Sequence, residues 1–205
     1  AISDNEIETM SPDFFSIENK FDMRFGDVSM QEYIDKDGFS ESDFNAYTPP
    51  NPKDLIDAGV TTHFLGYYLK WDPQENYYYA TENTGFKSNT ERTEGSSTKY
   101  SGIDDKIESF HYFTLLTKFG IGRCTYDNAT EIRNHQVNRD EGVYLVKKYD
   151  TEFPSKYFHE FLEYISTSEE EFWRLIDKHR SPHLWKKISG EWFLRHNVSR
   201  DGVDD

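Results

Sequence analysis

Ionisable and aromatic side chains are interleaved in the stretch YSGIDDKIESFHYFTLLTKFGIGR, residues 100–123. A helix turns by about 100° per residue. Spacings of four, three, four and three therefore place five side chains on one face: Asp104, Glu108, His111, Leu115 and Lys118. Carboxylates, an imidazole and an ammonium group can hold Mg²⁺, transfer a proton or neutralise a phosphate. Two interpretations stay open: the charges pair with each other within the fold, or they line a cleft that contacts a ligand.

The rest of this predicted helix, over residues 103–119, is mostly apolar, so we expect it to be largely enclosed. It is followed by Gly-Ile-Gly-Arg, in which Gly120 predicts the helix end and Gly122 a second flexible point. Backbone amides freed by such a turn can bind an anion, and Arg123 adds a cation. The segment therefore predicts a helix end and, as the alternative, a phosphate contact.

A second pair of polar residues lies where a predicted strand meets a predicted helix. Residues 60–69 are rich in β-branched and aromatic side chains, which indicates a buried strand. Asp72 as N-cap, Pro73 at the first helical position and Gly85 as a stop then predict a helix. Asp72 and Asn76 thus occupy a usual ligand position of α/β sheets, or they are only a helix cap and its first turn.

The composition limits the class of partner. Lys and Arg total 23 against 38 Asp and Glu, which gives a net charge of −15 and disfavours nonspecific binding of nucleic acid or anionic membrane. A single cysteine, Cys124, excludes an intramolecular disulfide. The segment AISDNEIETM lacks the features of a signal peptide, and no run has the length of a membrane span. We therefore expect a cytoplasmic protein, in which the sequons at Asn128 and Asn197 are chance matches.

Conventional catalytic and metal motifs are missing from the sequence. There is no Walker-type loop, HExxH or GxSxG motif in the 205 residues. His179 and His183 are four residues apart, but Pro182 breaks the helix between them. No metal site is predicted, and an independent small metalloprotein finds little support.

The remaining elements are predicted to be mainly helical. A short helix is expected within residues 23–34 and another from Pro52 to Gly59. Residues 87–99 are polar and predict a mobile loop or hinge. Beyond them we expect helices over 103–119, about 127–135, 139–149 and 155–165, a helix over 168–179 opened by Thr167 and Glu170, and a hairpin around Ser189 and Gly190.

The order of the segments resembles a known family. The succession PPNPKDLIDAGV, FLGYYLKWDPQEN, YSGIDDKIESFHYFTLLTKFGIGR, DNATEIRN, NRDEGVYLVKKYD, FPSKYFHEFLEYI and EEEFWRLIDKHRSPHLWKK is similar to the C-terminal part of the N-acetyl sugar amidotransferases. The likeness is collinear and runs from about residue 49 to 196. Residues 1–48 do not align.

The resemblance implies a fold and an activity. Such enzymes are ATP pyrophosphatases of the PP-loop type, which adenylate the acetamido group of a nucleotide-linked sugar and let ammonia displace AMP, giving an acetamidino group for bacterial surface polysaccharide such as O-antigen, or for flagellar glycan. The implied fold is mainly α: residues 1–99 hold the remnant of an α/β nucleotide-binding (adenine nucleotide alpha hydrolase-like) layer behind an irregular acidic segment, and residues 100–205 form a helical domain with a small terminal hairpin. The implied cofactors are ATP and Mg²⁺. The implied partners are a glutaminase resembling that of imidazole glycerol phosphate synthase and its cyclase-like companion.

The family pattern also assigns roles to residues of the opening stretch. Asp104 and Asp105 are expected to hold Mg²⁺ or sugar hydroxyls, and His111 to hydrogen-bond the substrate or move a proton. Lys118 and Arg123 are expected to neutralise phosphates. With Asp72 and Asn76 as further substrate contacts, these residues form the predicted site.

One departure from the family matters for the chemistry. The SGGxDS loop that binds pyrophosphate, and the cysteine-containing metal-binding segment, do not occur in the 205 residues. The chain is therefore expected to be a fragment of such an enzyme or one half of a split enzyme. The alternative function is a noncatalytic helical module that docks the glutaminase or forms the oligomer.

Overall fold

The computed structural model describes residues 24–25, 28–47, 50–60 and 68–205, which divide into two compact units. The first unit ends at Trp71 and the second comprises Asp72–Asp205. The strand predicted over residues 60–69 lies largely outside the described residues. The assignment of residues 1–99 to an α/β nucleotide-binding domain stays a prediction.

The described part of the first unit is short. Strands β1 (Arg24–Phe25) and β2 (Val28–Ser29) pair antiparallel, with Arg24 opposite Ser29. Helix α1 (Met30–Asp37) follows, then a 3₁₀ turn (Glu41–Phe44) and helix α2 (Pro52–Asp57). Both predicted helices are present, but the first begins at Met30 and runs to Asp37, beyond the predicted residues 23–34, the first part of which holds the two strands. Helix α2 has Asn51 as its N-cap.

Between Asp72 and Asp205, which the structure describes throughout, six helices and one hairpin follow one another: α3 (Pro73–Asn83), α4 (Glu108–Phe119), α5 (Arg123–Arg133), α6 (Arg139–Tyr149), α7 (Phe158–Tyr164), α8 (Glu169–His179), β3 (Trp185–Ile188) and β4 (Glu191–Leu194). The hairpin pairs Trp185 with Leu194. The predicted mainly helical fold with a small terminal hairpin is confirmed. None of the described helices combines the length and apolar character needed to cross a membrane.

The core of the second unit is aromatic. Phe113 and Leu116 of α4 pack with Phe172 and Ile176 of α8 and with the hairpin. Around them the rings of Phe153, Phe158, Phe161 and Trp173 stack or meet edge to face, as in the 4.1 Å stack of Phe110 on Phe161. Large rings bury much area per residue, so a chain of low apolar content still builds a core here.

Three predicted helix boundaries were wrong, and tertiary or local hydrogen bonds explain each. Helix α4 begins at Glu108 rather than residue 103, because the Asp105 carboxylate accepts a hydrogen bond from the Ile107 amide and holds the preceding residues in a turn. Helix α7 begins at Phe158 rather than residue 155, because the Glu94 carboxylate binds the amides of two residues before it. Helix α8 is capped by Ser168 rather than Thr167, since the Ser168 hydroxyl accepts from the Glu171 amide.

The start of α5 was also predicted wrongly, at about residue 127 instead of Arg123. The carboxylate of Asp150, at the end of α6, accepts hydrogen bonds from the amides of Gly122 (3.0 Å) and Thr125 (2.7 Å). A side chain distant in sequence therefore supplies the cap that the local sequence lacks.

The loop that connects α3 to α4 is fixed by the helical part of the unit. Arg92 forms two hydrogen bonds of 2.7 Å with the carboxylate of Glu152, which also accepts from the amide of Gly95. Ser96 is fully buried and donates to Asp127 at 2.5 Å. Residues 87–99 thus lie within the second unit and are anchored to it, in contrast to the predicted mobile hinge.

Candidate functional site

Helix α5 presents charged side chains toward the α3–α4 loop. Arg123, Asp127 and Glu131 follow at spacings of four, so they lie in one row along the helix. The loop packs against this row through the hydrogen bond from Ser96 to Asp127. The row begins in a buried ion-pair cluster and ends in an open cavity.

The buried cluster is centred on Arg123, whose side chain is only 5% exposed. Its Nη1 atom is 2.9 Å from Oε2 of Glu108, and its Nε atom is 3.5 Å from Oδ2 of Asp127. The guanidinium carbon lies 4.4 Å from the ring centroid of Tyr112. Burial raises the pKa of Asp127, and the hydrogen bond from Ser96 and the charge of Arg123 partly offset that rise. Two carboxylates thus share one desolvated guanidinium.

Gly102 permits this arrangement. Its φ is +61°, and a Cβ atom there would collide with Oε2 of Glu108. Only glycine combines that backbone conformation with so close an approach. The loop can therefore cover the ion pair.

The row on α5 ends in a cavity of about 430 Å³, which we call the tyrosine cavity. Its lining combines aromatic rings with hydroxyl, amide and charged groups: Gln74, Tyr77, Tyr78, Ser88, Ser97, Thr98, Lys99, Tyr100, Asn128, Glu131, Gln136, Val137 and Leu145. Tyr77 and Tyr100 stack with ring centroids 4.6 Å apart and an angle of 13° between the planes. A cavity of this size with aromatic walls and a few polar groups is a typical site for a small polar ligand.

Two titratable groups of the tyrosine cavity have shifted pKa values. Burial raises the pKa of Glu131, and the nearby carboxylates of Asp72 and Asp127 raise it further. Burial also raises the pKa of the Tyr100 hydroxyl, which donates to Oε1 of Gln74 at 3.1 Å. Tyr100 therefore stays neutral and Glu131 holds its proton more tightly than an exposed glutamate does. Both groups are suited to hydrogen-bonding an uncharged, hydroxyl-rich molecule.

The predicted site residues are divided among several places. Arg123 lies in the buried cluster, whereas His111 and Lys118 are exposed on α4, where His111 contacts the ring of Tyr112 and Lys118 lies over Phe119. Asp104 and Asp105 are exposed in the turn before α4. The structure therefore does not bring Asp104, Asp105, His111, Lys118 and Arg123 into one cluster. The stripe predicted on one face of the helix loses Asp104, because α4 begins at Glu108. The predicted enclosure of α4 is wrong for that exposed face.

Asp104 and Asp105 line a different and smaller cavity of about 210 Å³. It also contains the cations Arg92, Lys106 and Lys156. Each of these cations already contacts a protein group: Arg92 binds Glu152, Lys106 binds Glu160, and Lys156 lies over the ring of Tyr157. Asp104 and Asp105 thus share a cavity with cations that have other partners.

Asp72 and Asn76 differ in their surroundings. Asp72 is buried and caps α3 by accepting from the Glu75 amide at 3.2 Å, and it also accepts from Gln136 at 3.3 Å. Because Gln136 lines the tyrosine cavity, Asp72 orients one of the cavity walls. Asn76 is exposed in the first turn of α3. The predicted helix cap is confirmed, and a substrate contact at either residue stays a prediction.

The anion expected at Gly-Ile-Gly-Arg is supplied by the protein itself. The amide of Gly122 donates to the Asp150 carboxylate, and a Cβ atom at Gly122 would lie 2.6 Å from the Asp150 carbonyl oxygen. Gly122 is therefore required for close packing against Asp150, and a phosphate contact at this turn stays a prediction.

Four residues of the site were not predicted from the sequence: Tyr77, Tyr100, Asp127 and Glu131. The spacing of Asp127 and Glu131 from Arg123 could have indicated them, because it places three charged side chains in one row of a helix. Cys124 and Asn128 lie next to this row on the helix. Asn128 is buried and donates to the carbonyl oxygen and Sγ of Cys124, in agreement with a chance sequon. No local signal in the sequence brings Tyr77 and Tyr100 together.

Side chains of the usual metal-ligand types do not gather in the described part of the chain. In that part no group of three or more His, Cys, Asp or Glu side chains converges as a metal site requires. Cys124 is free and buried.

The fold and the site together define the class of this protein as a helical domain with a polar, tyrosine-lined cavity. Residues 94–198 match the family described as LPS biosynthesis protein WbpG-like, C-terminal domain. The match covers just over half of the chain, and the chain belongs to this family. It therefore carries a domain of lipopolysaccharide (LPS) biosynthesis proteins. A comparison with curated proteins finds no match.

Proposed function

We propose that this chain is the sugar-binding portion of an ATP-dependent amidotransferase that converts the acetamido group of a nucleotide-linked sugar to an acetamidino group. The product would enter a bacterial surface polysaccharide or flagellar glycan, and the reaction would take place in the cytoplasm. Two findings support this proposal: the tyrosine cavity, and the membership of the chain in an LPS biosynthesis family.

The lining of the cavity suits a sugar. Tyrosine rings offer flat apolar surfaces against which the C–H faces of a pyranose can pack, while hydroxyl and amide side chains hydrogen-bond its hydroxyls. Glu131 and the hydroxyl of Tyr100 are the groups that we assign to the sugar hydroxyls or the acetamido group. Lys99, exposed at the edge of the cavity, is the cation that we assign to the nucleotide diphosphate.

The SGGxDS loop, with which the resembled family binds pyrophosphate, does not occur in the sequence. Among the described residues no three or more His, Cys, Asp or Glu side chains converge. The proposal therefore assigns adenylation to a segment outside the 205 residues, and this chain positions the sugar and shields it from water. The glutaminase and its cyclase-like companion are proposed as the source of ammonia.

The experiment that tests this function is an ATP-to-AMP assay on the full reading frame, with ammonia and a panel of nucleotide-linked N-acetyl sugars. The proposal expects AMP formation that requires one of these sugars. AMP formation that no sugar in the panel stimulates would reject it.

A further inference from the structure

A second cavity of about 430 Å³ lies on another side of α6, between that helix, the hairpin and the C-terminal segment. Its walls include apolar side chains of the core and Arg180. The Arg180 side chain is 10% exposed, and its guanidinium carbon lies 4.8 Å from the ring centroid of Trp185 and 5.5 Å from that of Trp192. Two indole rings thus flank a mostly buried cation at the cavity wall.

The guanidinium of Arg180 lacks a hydrogen-bond acceptor in the described part of the chain. Its Nε atom is buried without a partner. The nearest carboxylate, Asp177, is 3.9 Å away and already accepts from Trp192 at 2.8 Å and from Lys187 at 3.2 Å. Because a mostly buried charge without hydrogen bonds is unfavourable, a ligand in the cavity that accepts hydrogen bonds from the Nη atoms of this guanidinium would be bound favourably.

The carboxylates that line the same cavity are engaged elsewhere. Asp150 binds the amides at the start of α5 and the hydroxyl of Thr125. Asp201 binds Lys147 at 2.7 Å and also accepts from the hydroxyl of Ser199. Lys147 also lines the cavity, but it is exposed to solvent and pairs with Asp201, so Arg180 is the mostly buried cation of this lining.

We propose that this second cavity binds an oxyanion carried on an apolar body, with the carboxylate or phosphate group on Arg180 and the apolar part against Trp185, Leu194 and Val203. A planar guanidinium donates two parallel hydrogen bonds to either oxyanion. The aromatic and aliphatic walls accept a short hydrocarbon group, as ligand sites of this size commonly do. This site is separate from the tyrosine cavity and independent of the proposed amidotransferase activity.

The test uses hexanoate and hexyl phosphate as probes, with hexanol as the neutral control. Trp185 and Trp192 flank Arg180, so tryptophan fluorescence and calorimetry both report binding to the 205-residue chain. Both anionic probes, or one of them, should bind while hexanol does not. Arg180→Lys should weaken binding by about tenfold or more, because an ammonium group cannot donate the same parallel pair. The response to the two probes distinguishes a carboxylate site from a phosphate site.

The control variant is Arg174→Lys, an exposed arginine on the same helix, which should bind the probes as the wild type does. Thr151→Phe is designed to add bulk to the lining while leaving Arg180 in place, and it should also weaken binding even if Arg180→Lys fails to fold. The proposal is overturned if neither anion binds below about 10 mM, a weak-ligand limit, if hexanol binds equally, or if Thr151→Phe binds normally. Tyr77→Leu should leave probe binding unchanged, which separates this site from the proposed sugar site.

Discussion

The guanidinium of Arg123 and the carboxylate of Glu108 lie 2.9 Å apart, with Arg123 almost fully buried between α4, α5 and the loop that covers them. Asp127 contacts the same guanidinium. Arg123→Met would leave two carboxylates without their cation, one of them largely buried. Breaking a buried pair in this way costs about 3 kcal/mol, measured as a loss of unfolding free energy in urea.

The matched control is Arg174→Met, since Arg174 pairs with Glu171 on the surface. An exposed pair contributes about 0.5 kcal/mol or less. Equal losses for the two variants would contradict the assignment of Arg123 as the structural centre of this cluster.

Alanine variants of Gly102 and Gly85 distinguish the cost of backbone strain from the cost of a steric clash. Both have positive φ, +61° and +73°, so alanine at either position is strained by about 1–2 kcal/mol. Only at Gly102 would the new Cβ atom collide with the carboxylate of Glu108. Gly102→Ala should therefore lose about 1 kcal/mol or more beyond the loss at Gly85→Ala, as read from the two urea midpoints. Identical losses would mean that the loop does not approach Glu108 so closely.

Cys124 should be unreactive in the folded protein. It is fully buried, and burial raises the pKa of its thiol to about 12. Because the thiolate is the reactive form, alkylation by iodoacetamide at pH 8 should proceed only as fast as the protein opens, and it should become rapid in urea. Prompt alkylation without denaturant would contradict the burial of this helix face.

Some of the fold could be predicted from neighbouring residues. The Asp72 cap, the capping box of Asn138 and Glu141 and the turn at Ser189 and Gly190 all depend on contacts within a few positions. The start of α5 could not be predicted, because its cap, Asp150, lies 28 residues beyond Gly122. Locally encoded elements were thus predictable, and tertiary caps were not.

The candidate site was less predictable for the same reason. The spacing of charges placed Asp104 on a helix that begins four residues later, at Glu108. Arg123 was predicted as a phosphate contact and not as the ion-pair partner of Glu108. The tyrosine cavity joins Tyr77 of α3 to Tyr100 of the following loop, and only the folding of that loop onto α5 brings them into contact. No periodicity in the sequence encodes such a contact.

Replacing Glu131 should change the pH dependence of the unfolding free energy in a defined direction. Because its pKa is raised in the folded state, the native protein binds more protons than the unfolded chain between the two pKa values. Its stabilising contribution is complete below the unfolded pKa of about 4.3 and is lost as pH rises through the folded pKa. Glu131→Gln should therefore gain unfolding free energy relative to wild type as pH rises from 4 to 7.

Glu171→Gln is the control with the opposite sign, since the hydrogen bond and charge of Arg174 lower the pKa of Glu171. That variant should lose stability relative to wild type over the same rise in pH. Parallel pH profiles for the two variants would contradict the buried environment of Glu131.

The most direct test of the central claim is the sugar dependence of AMP formation by the full reading frame, compared between Tyr77→Leu and Tyr79→Leu. Both residues lie on α3, but Tyr77 lines the tyrosine cavity and Tyr79 is 68% exposed. We predict that Tyr77→Leu raises the KM for the nucleotide-linked sugar by about tenfold, as loss of a 1.4 kcal/mol contact would, with the KM for ATP unchanged and Tyr79→Leu like wild type. Equal sugar KM values for the two variants, in an enzyme whose AMP formation requires the sugar, would contradict the assignment of the tyrosine cavity as the sugar site.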